Sequence, residues 1–344
     1  MIPLDKIKAK SFLAQNNLIN YEIKMVAGDA SFRSYYRIFC GAKTFILMFA
    51  PPSYENIHPF INIDKFLVEH GFSAPKIFAV DANEGFILLE DFGDDSYGRV
   101  LAKDIISGGN SLVKNTEFSR ATGDINSATE IPLYKNACDV LIELHKVAPP
   151  HDLEVYNHAL LFREVMLLVD WYLPHVKKIT MTLQEKARFK HLWFELFDAL
   201  NRENQVLVLR DYHADNLMIL QNRLGYKSVG LLDFQDAVIG SPAYDLVSLL
   251  EDARRDVNEK TREEIFAHYL YTTSIDKSSF ARDYKILSLQ RNIKIIGIFA
   301  RLAIRDSKPS YLNLLPRVIN LVKIRLAAKD QLFAEISLFL QKFI

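Results

Sequence analysis

Apolar positions recur along this chain with two periods, and the dominant period changes part-way. Leu4, Ile7, Phe12 and Leu13 fall at helical spacing and predict a short helix over about residues 4–17. Three stretches then read as strands: YEIKMV at 21–26, SYYRIF at 34–39 and TFILMF at 44–49. Gly28-Asp29-Ala30 and Gly41-Ala42-Lys43 supply the turns of an antiparallel sheet. Pro51-Pro52 ends the third strand. Residues 58–70 predict a helix, stopped by Gly71 at the position where left-handed backbone is favoured. Two more strands, 76–80 and 85–89, flank the turn at 81–84.

After Glu90 the pattern changes. Residues 90–98, EDFGDDSYG, are acidic and contain glycine, as a connector would. Residues 103–130 are polar with little periodicity and read as a loop. From residue 132 onward the helical period dominates, over about 132–147, 159–173, 182–202, 242–252, 259–272, 281–304 and 311–343 with a break. Short apolar runs at 205–209, 218–220 and 228–232 interrupt it and read as strands. The predicted fold class is α+β in two lobes. Residues 1–90 form a small antiparallel sheet lobe, 91–98 a hinge and 99–344 a larger, mainly helical lobe.

Composition narrows the function classes. A length of 344 residues suits two lobes, and 49% hydrophobic residues can fill both cores. Lys plus Arg equals Asp plus Glu at 42 each, so the basic excess of a nucleic-acid binder is missing and no such partner is expected. Cys40 and Cys138 have neither the number for a disulfide framework nor the spacing of a zinc site. The start, MIPLDKIKAKSF, lacks the order of a signal peptide. The most apolar stretch, 293–304, carries Lys294 and Arg301 and falls short of the ~20 residues a membrane span needs. A cytoplasmic protein without membrane attachment is expected.

The candidate chemistry lies in two segments. In LRDYHADNLM, residues 209–218, Asp211 is followed five positions later by Asn216, just after an apolar run. In VGLLDFQD, residues 229–236, Asp233 ends another apolar run. Phosphoryl transfer needs a carboxylate to accept the proton of the attacking hydroxyl, and hard oxygen ligands to hold magnesium against the nucleotide phosphates. Asp211 as base and Asn216 and Asp233 as metal ligands meet that requirement. Any one of the three alone could equally cap a turn; the set in register carries the reading. His213 reads as a packing residue of the loop.

These motifs resemble the aminoglycoside phosphotransferase and choline kinase group. LRDYHADNLM is similar to its catalytic loop, H-x-D-x-x-x-x-N, and LLDFQDA to its counterpart of the kinase D-F-G. GSPAYDL at 240–246 resembles the G-x-P-x-x-D-L signature, whose acid, here Asp245, is structural. CDVLIELHKV at 138–147 resembles the helix preceding the catalytic loop. More narrowly, residues 27–38, 229–256 and 290–318 resemble the bacterial kinases that phosphorylate N-acetylmuramate and N-acetylglucosamine at the anomeric hydroxyl in cell-wall recycling. That resemblance runs from about residue 20 to 325 and makes the stretch at 103–130 an insertion. It implies a two-lobed protein-kinase-like fold, ATP and Mg2+ as cofactors, and an amino sugar as substrate.

The resemblance also implies nucleotide contacts. Gly28, Ser31 and Arg33 would lie in a phosphate-covering loop, although the same residues make an ordinary hairpin turn, and Glu90 and Phe92 would border the adenine. Asp236, Arg254 and Tyr311 are weaker substrate candidates. Two departures stand out. Leu209 replaces the usual His of the catalytic loop, and the third strand offers Met48 where protein kinases place a phosphate-binding Lys. Arg33, Arg37 and Lys43 are the nearby basic residues, and strand alternation alone leaves open which faces the nucleotide. Two alternatives remain at this point: a kinase of an aminoglycoside, choline or other metabolite, and a nucleotide-binding pseudokinase scaffold.

Overall fold

The computed structural model describes residues 4–28, 32–107, 127–328 and 330–344. By packing, the chain divides into two compact units. Unit 1 comprises Met1–Arg99 and Asp215–Asp236, and unit 2 comprises Val100–Ala214 and Ala237–Ile344.

Unit 1 is built on five antiparallel strands: β1 (Glu22–Gly28), β2 (Ser34–Cys40), β3 (Lys43–Phe49), β4 (Ile77–Asp81) and β5 (Phe86–Glu90), in the order β1-β2-β3-β5-β4. Helix α1 (Lys6–Gln15) is capped by Asp5, whose carboxylate accepts from the N–H of Ile7 and Lys8. Phe12 and Leu13 of α1 pack on Ile38, Leu47, Phe49, Phe86 and Leu88 and close one face of the sheet. Because side chains alternate along a strand, Tyr35, Arg37 and Met48 stand on the other face. Helix α2 (His58–Glu69) ends where expected, before Gly71 at φ +82°.

Residues 215–236 join unit 1 through a two-stranded ribbon. The next strand, β6 (Val206–Val208), belongs to unit 2, whereas β7 (Leu217–Ile219) and β8 (Val229–Leu231) pair antiparallel within unit 1. The ribbon bonds to the rest of that unit at Leu231 N to Ser73 O (2.8 Å) and Ile219 N to Asp95 O (2.9 Å). Gly230 is required there, since a Cβ would meet the Phe92 ring at 2.8 Å.

Helices α3 (Tyr97–Ser107) and α4 (Ser127–Leu144) flank residues 108–126, so the expected loop at 103–130 has helical ends and its middle lies outside the described residues. Unit 2 continues with α5 (His158–Leu167), which widens into π-type winding over Leu168–Lys177, and α6 (Leu183–Asp198). After β6 come β9 (Val238–Gly240), paired antiparallel with β6, then α7 (Ala243–Leu250), α8 (Glu259–Thr273), α9 (Lys277–Ile304), α10 (Leu315–Ala327) and α11 (Ala334–Leu340). Strand β9 is not expected from the sequence pattern.

Helix α9 is the axis of unit 2, packed against α5, the π-type segment, α7 and α10. Its closest approach depends on Gly297, where a Cβ would lie 2.3 Å from the Leu167 backbone carbon. Almost every position of α9 from Asp283 to Ala303 is buried, the polar Ser288, Gln290, Arg291, Asn292 and Lys294 included. Among the described residues no helix is long and apolar enough to cross a membrane. Cys40 and Cys138 are free thiols.

Candidate functional site

The catalytic-loop motif begins in unit 2, just after β6. Asp211 is preceded by Arg210 in left-handed backbone, φ +69°, a conformation that costs a non-glycine residue energy and needs support. The support comes from α7. Asp245, fully buried, accepts the Leu209 N–H at 2.6 Å on one carboxylate oxygen and the Arg210 N–H at 2.8 Å on the other. The Ser248 hydroxyl, one turn along, donates to Arg210 O at 3.2 Å. Burial pushes the Asp245 carboxyl up to about 7 even though both N–H bonds pull the other way. Tyr212 anchors the residue that follows Asp211 by donating its hydroxyl to Ala137 O of α4 at 2.8 Å.

Beneath the loop lies an ionic cluster that the sequence reading missed. Glu164 of α5 bonds to the Arg210 guanidinium, to the Tyr156 hydroxyl and, at 2.8 Å, to Lys294 Nζ. Gln290 Nε2 donates to the same carboxylate at 3.0 Å. Burial works against the Lys294 charge, but Tyr244 and Glu164 outweigh it and hold the ammonium charged. Burial alone would raise the Asp211 carboxyl. Lys294, Arg291 and Arg210 outweigh it and hold Asp211 below the usual carboxylate range, in the form a proton acceptor needs. A signal was present in the sequence: Arg291 and Lys294 are three apart on α9 and so share a face beside its apolar run 295–300.

His213 is buried and its Nε2 lies 3.1 Å from Arg254 Nη1. Burial and the Arg254 charge lower its pKa, so it is the neutral partner of that guanidinium. Arg254 is thereby placed beside the catalytic loop, whereas its neighbour Arg255 serves the fold, bonded to Glu130 and Tyr134. Tyr311, in the 3-10 turn Pro309–Leu314, packs on Phe299 with ring centroids 5.3 Å apart. Leu209, at the usual His position, is buried.

The motif crosses into unit 1 between Ala214 and Asp215. Register brings the two expected metal ligands together there. Leu217 pairs with Leu231, and the Leu232 N–H donates to Asn216 O at 3.0 Å, so Asn216 and Asp233 sit at the same end of the β7–β8 ribbon. Asp233 has left-handed backbone, φ +60°, and a side chain 47% exposed. Gln235 Nε2 donates to its Oδ1 at 2.9 Å, and the Phe234 ring stacks on Phe60 of α2 at 5.1 Å. Among the described residues no group of three or more His, Cys, Asp or Glu side chains could hold a metal. An amide and a carboxylate oxygen suit Mg2+, which is commonly held by one or two protein ligands together with substrate phosphates.

Of the expected nucleotide contacts, Gly28 ends β1 opposite Ser34, and Ser31 lies outside the described residues. Arg33 reaches Asp233, Nη1 to Oδ1 3.9 Å, and Asp236 adds its charge nearby. Arg37 turns instead to the connector, bonding Asp91, Asp94 and Gly93 O. The Glu90 carboxylate accepts from Arg223 at 2.7 Å, and the Phe92 ring lies under the same guanidinium. These two side chains are thus engaged by Arg223, which lies between β7 and β8.

Residues 22–280 match the sequence model of the phosphotransferase enzyme family. The chain is similar to the N-acetylmuramate/N-acetylglucosamine kinase of Caulobacter vibrioides, 30% identical, with 97% of this chain and 95% of that protein covered. It is similar to the protein of the same name from Pseudomonas putida at 34% identity, covering 85% of this chain and 79% of that one. In fold it resembles choline kinase LicA from Streptococcus pneumoniae, with TM-score 0.60 and 13% identity over 92% of this chain and 99% of that chain. Nucleotide-dependent transfer of phosphate to a hydroxyl is therefore its chemistry, and the chain belongs to the phosphotransferase enzyme family as a small-molecule kinase with a protein-kinase-like fold.

Proposed function

We propose that this chain is a cytoplasmic, ATP- and magnesium-dependent kinase of N-acetylmuramate and N-acetylglucosamine that acts on the anomeric hydroxyl. The observation that carries the sugar assignment is the similarity, over 85–97% of the chain, to two kinases named for those sugars. The lobes would work as residues 1–90 for the nucleotide, 91–98 as hinge and 99–344 for base and substrate.

In this reading Asp211 accepts the proton of the sugar hydroxyl as the oxygen attacks phosphorus. Its cationic surroundings keep it deprotonated before the sugar arrives. Asn216 and Asp233 would hold magnesium, which when bound offsets charge building on the phosphates. Asp245 fixes the loop through two backbone N–H groups. The loop 28–33, with Gly28 and Ser31, would cover the phosphates. Adenine would lie against the connector at Glu90–Phe92, met by backbone because both side chains are engaged by Arg223. Asp236, Arg254 and Tyr311 would contact the sugar, Arg254 being suited to the carboxylate of N-acetylmuramate.

The test is magnesium-dependent ATP turnover over a panel of N-acetylated hexosamines, aminoglycosides and choline. Turnover confined to the hexosamines is expected. Preference for an aminoglycoside or choline would overturn the assignment.

A further inference from the structure

Strand β3 carries Met48 where a lysine would neutralise the nucleotide phosphates, yet phosphoryl transfer depends on such charge. The face of the sheet opposite α1 is where a replacement must stand. Arg37 is on that face but is engaged by Asp91 and Asp94 of the connector. Lys43 is at the far end of the β2–β3 hairpin, paired with Cys40. Tyr35 is the cross-strand partner of Met48 itself.

Arg33, two residues before Tyr35, has a side chain only 11% exposed. Its Nε donates to Glu55 Oε2 at 3.3 Å, and the other oxygen of the same carboxylate accepts the Phe32 N–H, also at 3.3 Å. Glu55 thus grips two consecutive residues, one by backbone and one by guanidinium. The Phe32 ring packs on Tyr54 at 4.9 Å and reinforces the grip. Glu55 is placed by the turn after Pro51-Pro52, where the N–H groups of Tyr54 and Glu55 both donate to Pro51 O at 2.9 Å. With Nε held, the outer end of the guanidinium points toward Asp233. Burial opposes the Arg33 charge, but Tyr35, Glu55, Asp233 and Asp236 outweigh it, and burial pushes the Tyr35 phenol up to about 12.

We propose that Arg33 and Glu55 form a displaced ion pair that replaces the strand-three lysine, with Arg33 binding the nucleotide phosphates and Glu55 acting as the positioning residue that aims it. The inference rests on the kinase reading and adds a residue to it. Glu55 sits in the segment between β3 and α2, outside every motif that identified the family. Glu55 holds Nε while the guanidinium also bonds the Tyr35 hydroxyl and turns Nη1 toward Asp233, so the planar group is presented where a phosphate beside Asp233 would meet it in the bidentate manner that suits a guanidinium.

The test is ADP and adenosine binding by calorimetry on the full chain, with no sugar present. Arg33→Ala is expected to weaken ADP binding ~10–100-fold, the range of a lost charge-assisted contact, and to leave adenosine binding unchanged. Glu55→Gln keeps an acceptor for the Phe32 N–H but opposes an amide donor to Arg33 Nε, so ADP binding should weaken part of that amount. Glu55→Asp should recover part of it, and the double variant Arg33→Ala/Glu55→Gln should be no worse than Arg33→Ala alone. Wild-type ADP affinity in Glu55→Gln, or losses that add in the double variant, would overturn the pairing. Equal loss of adenosine and ADP binding would overturn it as well, by showing a general structural effect. Wild-type protein that binds no ADP would instead sink the kinase reading.

Discussion

Asp245 is the residue on which the geometry of the catalytic loop depends, and its replacement gives the sharpest structural prediction. Its two oxygens accept the N–H groups of Leu209 and Arg210 in a fully buried place. A buried donor left without a partner costs about 1–3 kcal/mol, so Asp245→Ala, which strands two, should lower unfolding free energy by about 2–6 kcal/mol. Asp245→Asn keeps one acceptor oxygen and should cost about 1–3 kcal/mol. The effect on rate follows from the backbone. Arg210 at φ +69° stores strain of order 1–3 kcal/mol that these bonds restrain. Without them the loop relaxes and carries Asp211 with it, and a shift of ~1 Å at a reacting group can cost ~100-fold. Denaturant melts and single-turnover kinetics on both variants test this, with ADP affinity as the control for an intact nucleotide site. Asp245→Ala within about 0.5 kcal/mol of wild type, or with kcat within threefold, would refute the bracing role; ordinary surface substitutions fall within about that 0.5 kcal/mol.

Three further outcomes are expected. Asp211→Asn should lose ~10²–10⁴-fold in kcat with ADP affinity nearly intact, and a kcat within threefold of wild type would remove it as the base. Asn216→Ala and Asp233→Asn should each raise the magnesium concentration needed for half-maximal turnover, Asp233→Asn more because it removes a full charge while preserving the left-handed backbone that Ala would strain; unchanged titrations in both would rule out the ligand roles. Asp64 of α2 is 2% exposed, and burial with the Glu90 charge pushes its carboxyl from 3.8 up to about 7. Folding therefore favours its protonated form: that contribution is complete below the unfolded value and lost as pH rises through about 7. Asp64→Asn should stabilise the protein by up to about 4 kcal/mol at pH ~8.5, by about 1–2 kcal/mol at pH ~5, and do little below pH ~4. Urea melts showing no gain at the higher pH would contradict this.

Much of unit 1 was legible because antiparallel hairpins advertise themselves through alternation and glycine turns, as at Gly41, and because Gly71 marks the end of α2. The motifs around Asp211, Asn216 and Asp233 were legible as marks of the family because they hold fixed residue types at fixed spacing. What stayed hidden depends on tertiary packing. Alternation put Arg37 and Tyr35 on one face of β2 but left open which face met the core; α1, packing on Ile38 and Leu47, decides it. Arg33 was distinguished from Arg37 only by the acids each meets, Glu55 in one case and Asp91 in the other. The cluster of Glu164, Arg210 and Lys294 joins three distant segments, and Lys294 in the sequence looked like an interruption of an apolar run.

The most direct measurement for the sugar-kinase assignment is phosphorus NMR of the product formed from ATP and N-acetylglucosamine or N-acetylmuramate. The expected product shows phosphorus coupled to the anomeric proton and releases phosphate in mild acid, as a hemiacetal phosphate does. A phosphate at C6, or on the ring of an amino-cyclitol in place of either sugar, would contradict it.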